Sequence, residues 1–380
     1  MKINIASFGG RTHMLDTAKE LEKFGHEVRF YSFVPTKRAV KFGLKKECNK
    51  SYFFLAMPFL ALQKVTRRSF WSVYLFHRFF DFYVGMIMPS CDVFIGQSPL
   101  HVFALKRAKK SFKAITILER GSSHILTMIK ILKTIPTNKD KDVMPSMFIK
   151  RDLKGYEIAD FISIASDFQK RSFIENKISL CKLLINPYGV STASFYPTEK
   201  PLKDSYDAIM VGQWSYRKGC DLIVEAVKRM GISFLHVGGF KDLEFPKGEN
   251  FTHIDSVNQS ELVEFYKKAK IFVMPSREDG FGMVISQALI CGLPIVCSRN
   301  TGAYSLVHFL EDEKWMIEMP EYSVECLVES IKKALKLWES QPEGERNYAN
   351  NAVKELTWEK YGERYNKNIE LIVRKENVVE

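Results

Sequence analysis

Two short segments of this sequence hold side chains whose types and spacing could do chemistry on an anionic, hydroxyl-bearing ligand. The first, PSREDGFGMVISQALICGLP at 275–294, runs from Asp279 into Gly280, Phe281 and Gly282, then into Met283, Val284 and an apolar stretch. Glycines let a backbone approach a ligand closely, and the free N–H groups at a helix start point at an anion. Asp279 could accept hydrogen bonds from hydroxyl groups, and Gln287, about two helical turns on, shares a face with that loop. Read alone, the same residues also describe a tight strand-to-helix turn with a solvated acidic loop. The second segment, VGQWSYRKG at 211–219, places Gly212 after an apolar strand, and Arg217 and Lys218 before a helix. Arg offers a planar fork of donors and Lys a compact charge, a pair suited to a diphosphate.

The elements that must position these segments follow from the apolar pattern. Residues 2–7 and 27–33 read as buried strands around an amphipathic helix at 12–24. Further strands are expected at 92–96 and 114–118, with a helix over 100–110. Such alternation predicts an α/β fold with parallel sheets flanked by helices. Residues 186–204, with three prolines and many small polar residues, read as a linker. A second series then follows, with strands or helices at 208–211, 222–230, 234–237, 261–269, 271–274, 283–290 and 295–297. The stretch 322–374 reads as mostly helical, anchored by Trp338, Trp358 and Tyr365. Two doubly wound halves put a ligand cleft between them, at the carboxyl ends of the strands.

Composition narrows the classes. An apolar fraction of 46% excludes a disordered chain, and 380 residues suit two or three domains. Residues 1–190 hold 32 basic and 15 acidic side chains, whereas 191–380 hold 24 and 29. The basic half is therefore expected to meet an anion. The seven cysteines are odd in number and scattered with no C-x-x-C pair, which argues against a zinc site or disulfide framework and for a reducing cytosolic compartment. The start MKINIASFGG lacks the features of a signal peptide, and charges interrupt every long apolar run, so no spanning helix is expected.

In this order the motifs resemble the retaining glycosyltransferases of family 4. Their GT-B architecture has two Rossmann-like doubly wound domains facing a central cleft. ADFISIAS (159–166) is similar to the strand that closes the first domain, and NPYGVSTASFYP (186–197) to the family linker, with Pro187 and Tyr188 inserted. RKGCDLIVEA resembles the Lys-Gly helix start, VGG (237–239) the second glycine turn, and PSREDGFGMVISQA the Glu-x7-Glu element. CGLPIVCSRNTGA is similar to the strand and turn that follow. The resemblance covers most of the chain and is strongest over 159–302. The expected division is a first domain at 1–186, a linker at 187–205, a second domain at 206–357, and a helix at 358–380 returning toward the first domain.

The resemblance implies transfer of a hexosyl group from a UDP- or GDP-sugar, with the base left open and no metal or other cofactor. Arg217 and Lys218 would neutralise the diphosphate leaving group. Asp279 would hold donor-sugar hydroxyls, and the N–H groups of Gly280, Phe281, Gly282, Met283 and Val284 would face sugar and phosphate. Gln287 would reach the ribose, Val257 would sit by the base, and Gly212 would line the same site. Gly9 and Gly10 would let backbone approach near the reacting carbon. Two departures stand out. The paired family glutamates are Asp279 and Gln287 here; a frame beginning at Glu278 would put Ser286 second and misalign the glycines, and is set aside. Where many relatives carry a His, this chain has Glu119-Arg120-Gly121-Ser122-Ser123-His124. Either His124 takes that role from a shifted loop, or Glu119 and Arg120 replace it. An unpaired Arg120 in the cleft would suit phosphate, whereas His124 as a mere helix-capping neighbour would have no catalytic part.

Residues 52–88 interleave twelve aromatic residues with Lys64, Arg67, Arg68 and Arg78, the pattern of a surface-lying membrane element. About half of these aromatics are expected in the core. The combined expectation is a cytoplasmic enzyme, peripheral on the inner face of the membrane. It would serve bacterial surface polysaccharide synthesis by acting on a lipid-linked or oligosaccharide acceptor, with no nucleic acid involved. A basic nucleic-acid-binding protein is the alternative from another class, but no helix-turn-helix, zinc or RNA-binding signature occurs. A dinucleotide oxidoreductase lacks its G-x-G-x-x-G spacing at Ser7–Gly10. A catalytically inert GT-B relative acting as a binding partner is suggested by Gln287.

Overall fold

The computed structural model describes residues 1–9, 12–138, 143–199, 205–341 and 349–376. Gly10 therefore lies outside the described residues. The first sheet comprises β1 (Lys2–Ala6), β2 (Glu27–Ser32), β3 (Asn49–Ser51), β4 (Val93–Gln97), β5 (Ile115–Glu119), β6 (Phe161–Ile164) and β7 (Leu183–Ile185). All pairs are parallel, in the order β3-β2-β1-β4-β5-β6-β7. The second comprises β8 (Tyr206–Val211), β9 (Phe234–Val237), β10 (Phe251–Ile254), β11 (Ala269–Met274), β12 (Ile295–Cys297) and β13 (Met316–Glu318). It too is wholly parallel, ordered β10-β9-β8-β11-β12-β13. Central strands such as β1 and β11 are near-continuous apolar runs because helices cover both of their faces.

In both sheets the strand order reverses once, at β1/β4 and at β8/β11, so the loops leaving those neighbouring strands open a crevice. This topology brings residues about sixty positions apart in the second domain to one place. The strand at Phe161–Ile164 does not close the first sheet, as its motif suggested: β7 pairs outside it, through Ile162 with Leu183. β7 is three residues long, too short to stand out from a Pro-rich neighbourhood. The element expected at 261–269 is a single turn and a short helix, Leu262–Tyr266, because β11 already begins at Ala269.

The helices used below are α1 (His13–Lys23), α2 (Phe53–Val65), α3 (Phe70–Ile87), α4 (Phe103–Phe112), α5 (Ile125–Lys133), α6 (Ser146–Ile158), α7 (Cys220–Met230), α8 (Met283–Ile290) and α9 (Trp358–Glu376). The linker composition is misleading in one respect: Tyr188, Val190 and Phe195 are buried in the core. α9 lies against the first domain, where the Tyr361 hydroxyl is 3.0 Å from Thr17 Oγ1 and Asn366 Oδ1 is 2.6 Å from His26 Nε2. The aromatic stretch divides three ways, with Phe53, Phe59, Tyr74, Phe79 and Tyr83 half-buried. Tyr52, Phe76 and Phe80 are buried, whereas Phe54, Phe70, Trp71 and Phe82 face outward. All seven cysteines are free thiols. Among the described residues no helix is long and apolar enough to cross a membrane.

Candidate active site

The crevice of the second domain is built from the loops after β8 and β11. After β8 the chain turns at Gly212, whose φ of +133° strongly favours glycine, and then makes one 3-10 turn, Tyr216–Lys218, before α7. Ser215 caps that turn by accepting from the Lys218 N–H. Arg277, on the neighbouring loop, grips the start of α7 through two bonds to the Asp221 carboxylate at 2.6 and 2.7 Å. With both loops fixed, Arg217 and Lys218 meet the acidic pair before the glycines. Arg217 Nε and Nη2 donate to Glu278 Oε2 at 3.0 and 2.6 Å, and Lys218 Nζ pairs with Asp279 Oδ2. Burial would raise the Asp279 pKa, but the Lys218 charge and hydrogen bond, aided by Arg217, outweigh it and hold the carboxyl below its ordinary value.

Glu278, which falls outside the family frame of Asp279 and Gln287, is an acid that joins the two domains. It is fully buried, and its second oxygen accepts from the Ser123 N–H at 3.0 Å and the Ser123 hydroxyl at 2.8 Å. Next to it Gly280 touches the first domain so closely that an added Cβ would lie 2.1 Å from the Gly121 carbonyl oxygen. Its own carbonyl accepts from the Ser166 hydroxyl. Two consecutive acids before a glycine loop were the available signal: one faces Lys218 and the other faces the partner domain.

The remaining predicted residues separate into groups. Gly212 and Val257 line a cavity of 280 Å³ together with Gln213, Gly238, Gly239 and Ser256. Met283 and Val284 are half-buried at the start of α8, and Gly282 precedes them. Phe281 is buried, and its backbone N–H is turned onto the Asp279 carboxylate, which takes that donor away from a ligand. Gln287 does not line the cavity: it is buried, and its Oε1 accepts from the Tyr266 hydroxyl at 3.4 Å. The expected reach to a ribose is absent in this arrangement because α8 turns Gln287 inward, toward Tyr266.

In the first domain Gly9 follows β1 with φ +105°. Arg120 is not the unpaired cation anticipated. It is buried, binds Asp152 at 2.9 Å, and gives two bonds of 3.1 Å to the Ser123 carbonyl, so it braces the loop that feeds Glu278. His124 caps α5: its Nδ1 accepts from the Leu126 N–H at 3.3 Å, while its backbone N–H donates to the Ser172 hydroxyl at 2.9 Å. Burial, reinforced by the nearby Arg120 charge, pushes the imidazole pKa down to about 4, so it is neutral at physiological pH. Glu119 instead faces a histidine that the motifs did not indicate. His13 Nε2, at the first position of α1, lies 3.2 Å from Glu119 Oε1. The His13 ring stacks on Tyr188 at 4.3 Å, and Tyr188 stands edge-on to Phe281 at 5.2 Å. A histidine just after a glycine turn, at a helix start, was the signal available for it.

Residues 195–355 match the family model Glycosyl transferases group 1. An uncharacterized glycosyltransferase of Methanocaldococcus jannaschii is 26% identical over 176 residues, 43% of this chain and 48% of that protein. A probable sucrose-phosphate synthase of Thermosipho melanesiensis is 24% identical over 217 residues, covering 52% and 48%. The chain thus spans about half the length of these curated relatives. Among solved structures, sucrose-phosphate synthase from Thermosynechococcus elongatus superposes with a TM-score of 0.67 at 15% identity, over 98% of this chain and 99% of that one. Anabaena HepE in complex with UDP-glucose superposes with a TM-score of 0.62 at 11% identity, over 97% and 99%. The two parallel-sheet domains have the GT-B fold, and the second, which carries Arg217, Lys218 and Asp279, matches the group 1 glycosyl transferase model.

Proposed function

We propose that the protein is a retaining glycosyltransferase that moves a hexosyl group from a nucleoside-diphosphate sugar to an acceptor hydroxyl. The observation that carries the reading is the Arg217–Lys218 pair beside Asp279, at the same crevice as the glycine-lined cavity at Gly212 and Val257. A fold neighbour described in complex with UDP-glucose supports a nucleotide sugar as donor. The base enters the cavity at Val257, and the diphosphate lies toward Arg217 and Lys218. Arg217 is held by Glu278 while remaining one-third exposed, so it is oriented without being covered. Asp279 holds donor-sugar hydroxyls. As the bond from the anomeric carbon to the leaving phosphate oxygen breaks, its electron pair stays on that oxygen, and the two cations stabilise the added charge. The acceptor oxygen bonds to the anomeric carbon from the same face, and its proton passes to the departing phosphate. Charge neutralisation is assigned to Arg217 and Lys218, and no metal takes part in the reading. His13, steadied by Glu119, positions the acceptor hydroxyl from the first domain.

The acceptor is assigned to a lipid-linked or oligosaccharide glycan at the inner face of the cell membrane, in surface polysaccharide synthesis. Support comes from the basic first half and from the outward aromatic residues of α2 and α3. Binding tests the donor side first. UDP or GDP should raise the melting temperature of the wild type, since a ligand of the folded state stabilises it. Val257→Trp, which fills the cavity, should cancel the shift. No shift with any nucleoside diphosphate, or an unchanged shift in Val257→Trp, would overturn the assignment.

A further inference from the structure

α3 has two apolar faces. One, carrying Phe76, Phe80 and Val84, is buried in the first domain. The other carries Trp71, Leu75, Phe82 and Met86, which are 53%, 45%, 56% and 51% exposed. With Arg78 these residues stand at positions 71, 75, 78, 82 and 86, one stripe along the helix. Nothing among the described residues covers them. Phe103, at the start of α4, extends the stripe, its ring 5.4 Å from that of Phe82.

Two adjoining cavities of 230 and 310 Å³ open at the middle of this stripe, and Arg78, Val102 and Arg151 line both. Lys106 lines one and Lys150 the other. The acid in the lining, Asp81, is already committed. It accepts from the N–H groups of Phe103 and Ala104 at 2.8 and 2.9 Å and pairs with Arg151 at 2.7 Å. Among the described residues Arg78, Lys106 and Lys150 have no carboxylate within 4.0 Å, so three cations without an ion-pair partner converge on a groove bordered by exposed apolar side chains.

We propose that this groove holds the phosphate of an anionic phospholipid headgroup, while Trp71, Leu75, Phe82 and Met86 enter the acyl boundary beside it. The inference rests on the membrane reading given above and deepens it by naming the site. A groove for a free anion needs no apolar border, and an apolar stripe for a protein partner needs no cluster of unpaired cations. A lipid monolayer supplies both chemistries at one depth.

The test is co-sedimentation with vesicles of phosphatidylcholine, with and without phosphatidylglycerol, at physiological ionic strength. The wild type should bind only the anionic vesicles. Arg78→Gln/Lys106→Gln/Lys150→Gln should lose about 100-fold in partitioning, from roughly tenfold or less per surface cation. Lys37→Gln/Lys41→Gln/Lys46→Gln removes the same charge from exposed sites elsewhere in the basic half and should lose less than about threefold, because distant charges are screened. Equal losses in the two variants would overturn the groove while leaving the membrane reading intact. No binding by the wild type would overturn both. Inorganic phosphate at constant ionic strength should leave vesicle binding unchanged; displacement by it would mark a free-anion site. A second readout needs no groove variant: tryptophan emission should shift to the blue on anionic vesicles, and Trp71→Phe should remove that shift. An unchanged shift in Trp71→Phe would overturn the placement of the stripe. Self-association abolished by Phe82→Ser, without vesicle binding, would assign the face to a second copy of the chain.

Discussion

Glu278 ties Arg217 to Ser123, taking two bonds from the guanidinium on one oxygen, at 3.0 and 2.6 Å, and two from Ser123 on the other, at 3.0 and 2.8 Å. One buried carboxylate therefore both orients a cation of the second domain and fastens the first domain to it. Removing it strands an arginine and a buried N–H. Glu278→Ala should cost about 2 kcal/mol in urea unfolding, below the range for a fully buried pair because Arg217 is partly solvated. An unchanged unfolding midpoint would contradict the bridging role.

Gly280 is a second interdomain contact, and its role is steric. A Cβ at 2.1 Å from the Gly121 oxygen requires the two backbones to separate. Gly280→Ala should lower donor turnover at least about tenfold, since an ångström of misplacement at a reacting centre can cost 100-fold. Gly25→Ala, at a φ of +79° with nothing within 4 Å, should cost stability without affecting turnover. Equal turnover in wild type and Gly280→Ala would contradict close domain apposition.

The two histidines near β5 should part company. His124→Ala removes a helix cap and should cost about 1 kcal/mol of stability, with turnover kept within about twofold. His13→Ala should lower turnover about tenfold, the scale of one positioning hydrogen bond. Steady-state kinetics beside unfolding curves checks both. The reverse pattern would return the role to His124.

Four histidines also set an acid limit. Burial is the main cause that lowers His77 to about 3 and His101, His124 and His236 to about 4, from an ordinary 6.5. The unfolded chain takes up these protons near 6.5 while the folded chain refuses them, so stability is full above that value and falls as pH drops toward 4. Each histidine contributes a slope of at most about 1.4 kcal/mol per pH unit. Urea midpoints should decline through this window, and His77→Phe should flatten the decline. A flat profile in the wild type would contradict the buried neutral state.

Much of the fold was legible because parallel strands buried on both faces are short apolar runs, as at Ile271–Met274 and Ile3–Ala6. β3 and β7 were not, since three-residue edge strands carry no periodicity. Arg217, Lys218 and Asp279 could be found because glycines and a strand-to-helix change mark their loops. Glu278 and Arg120 could not be assigned, because their partners, Ser123 and Asp152, come from other parts of the chain, and spacing says nothing about which acid meets which base. The same holds for Gln287, whose identity reads as polar and available while its environment is the buried hydroxyl of Tyr266.

Release of free nucleoside diphosphate tests the central claim most directly. The wild type, incubated with a panel of UDP- and GDP-sugars and vesicles bearing a lipid-linked acceptor, should release nucleoside diphosphate from one donor. Arg217→Ala and Lys218→Ala should each reduce that release about 100-fold or more. Unchanged release in both variants would contradict the assignment of the diphosphate to these cations. No release from any donor would contradict glycosyl transfer itself.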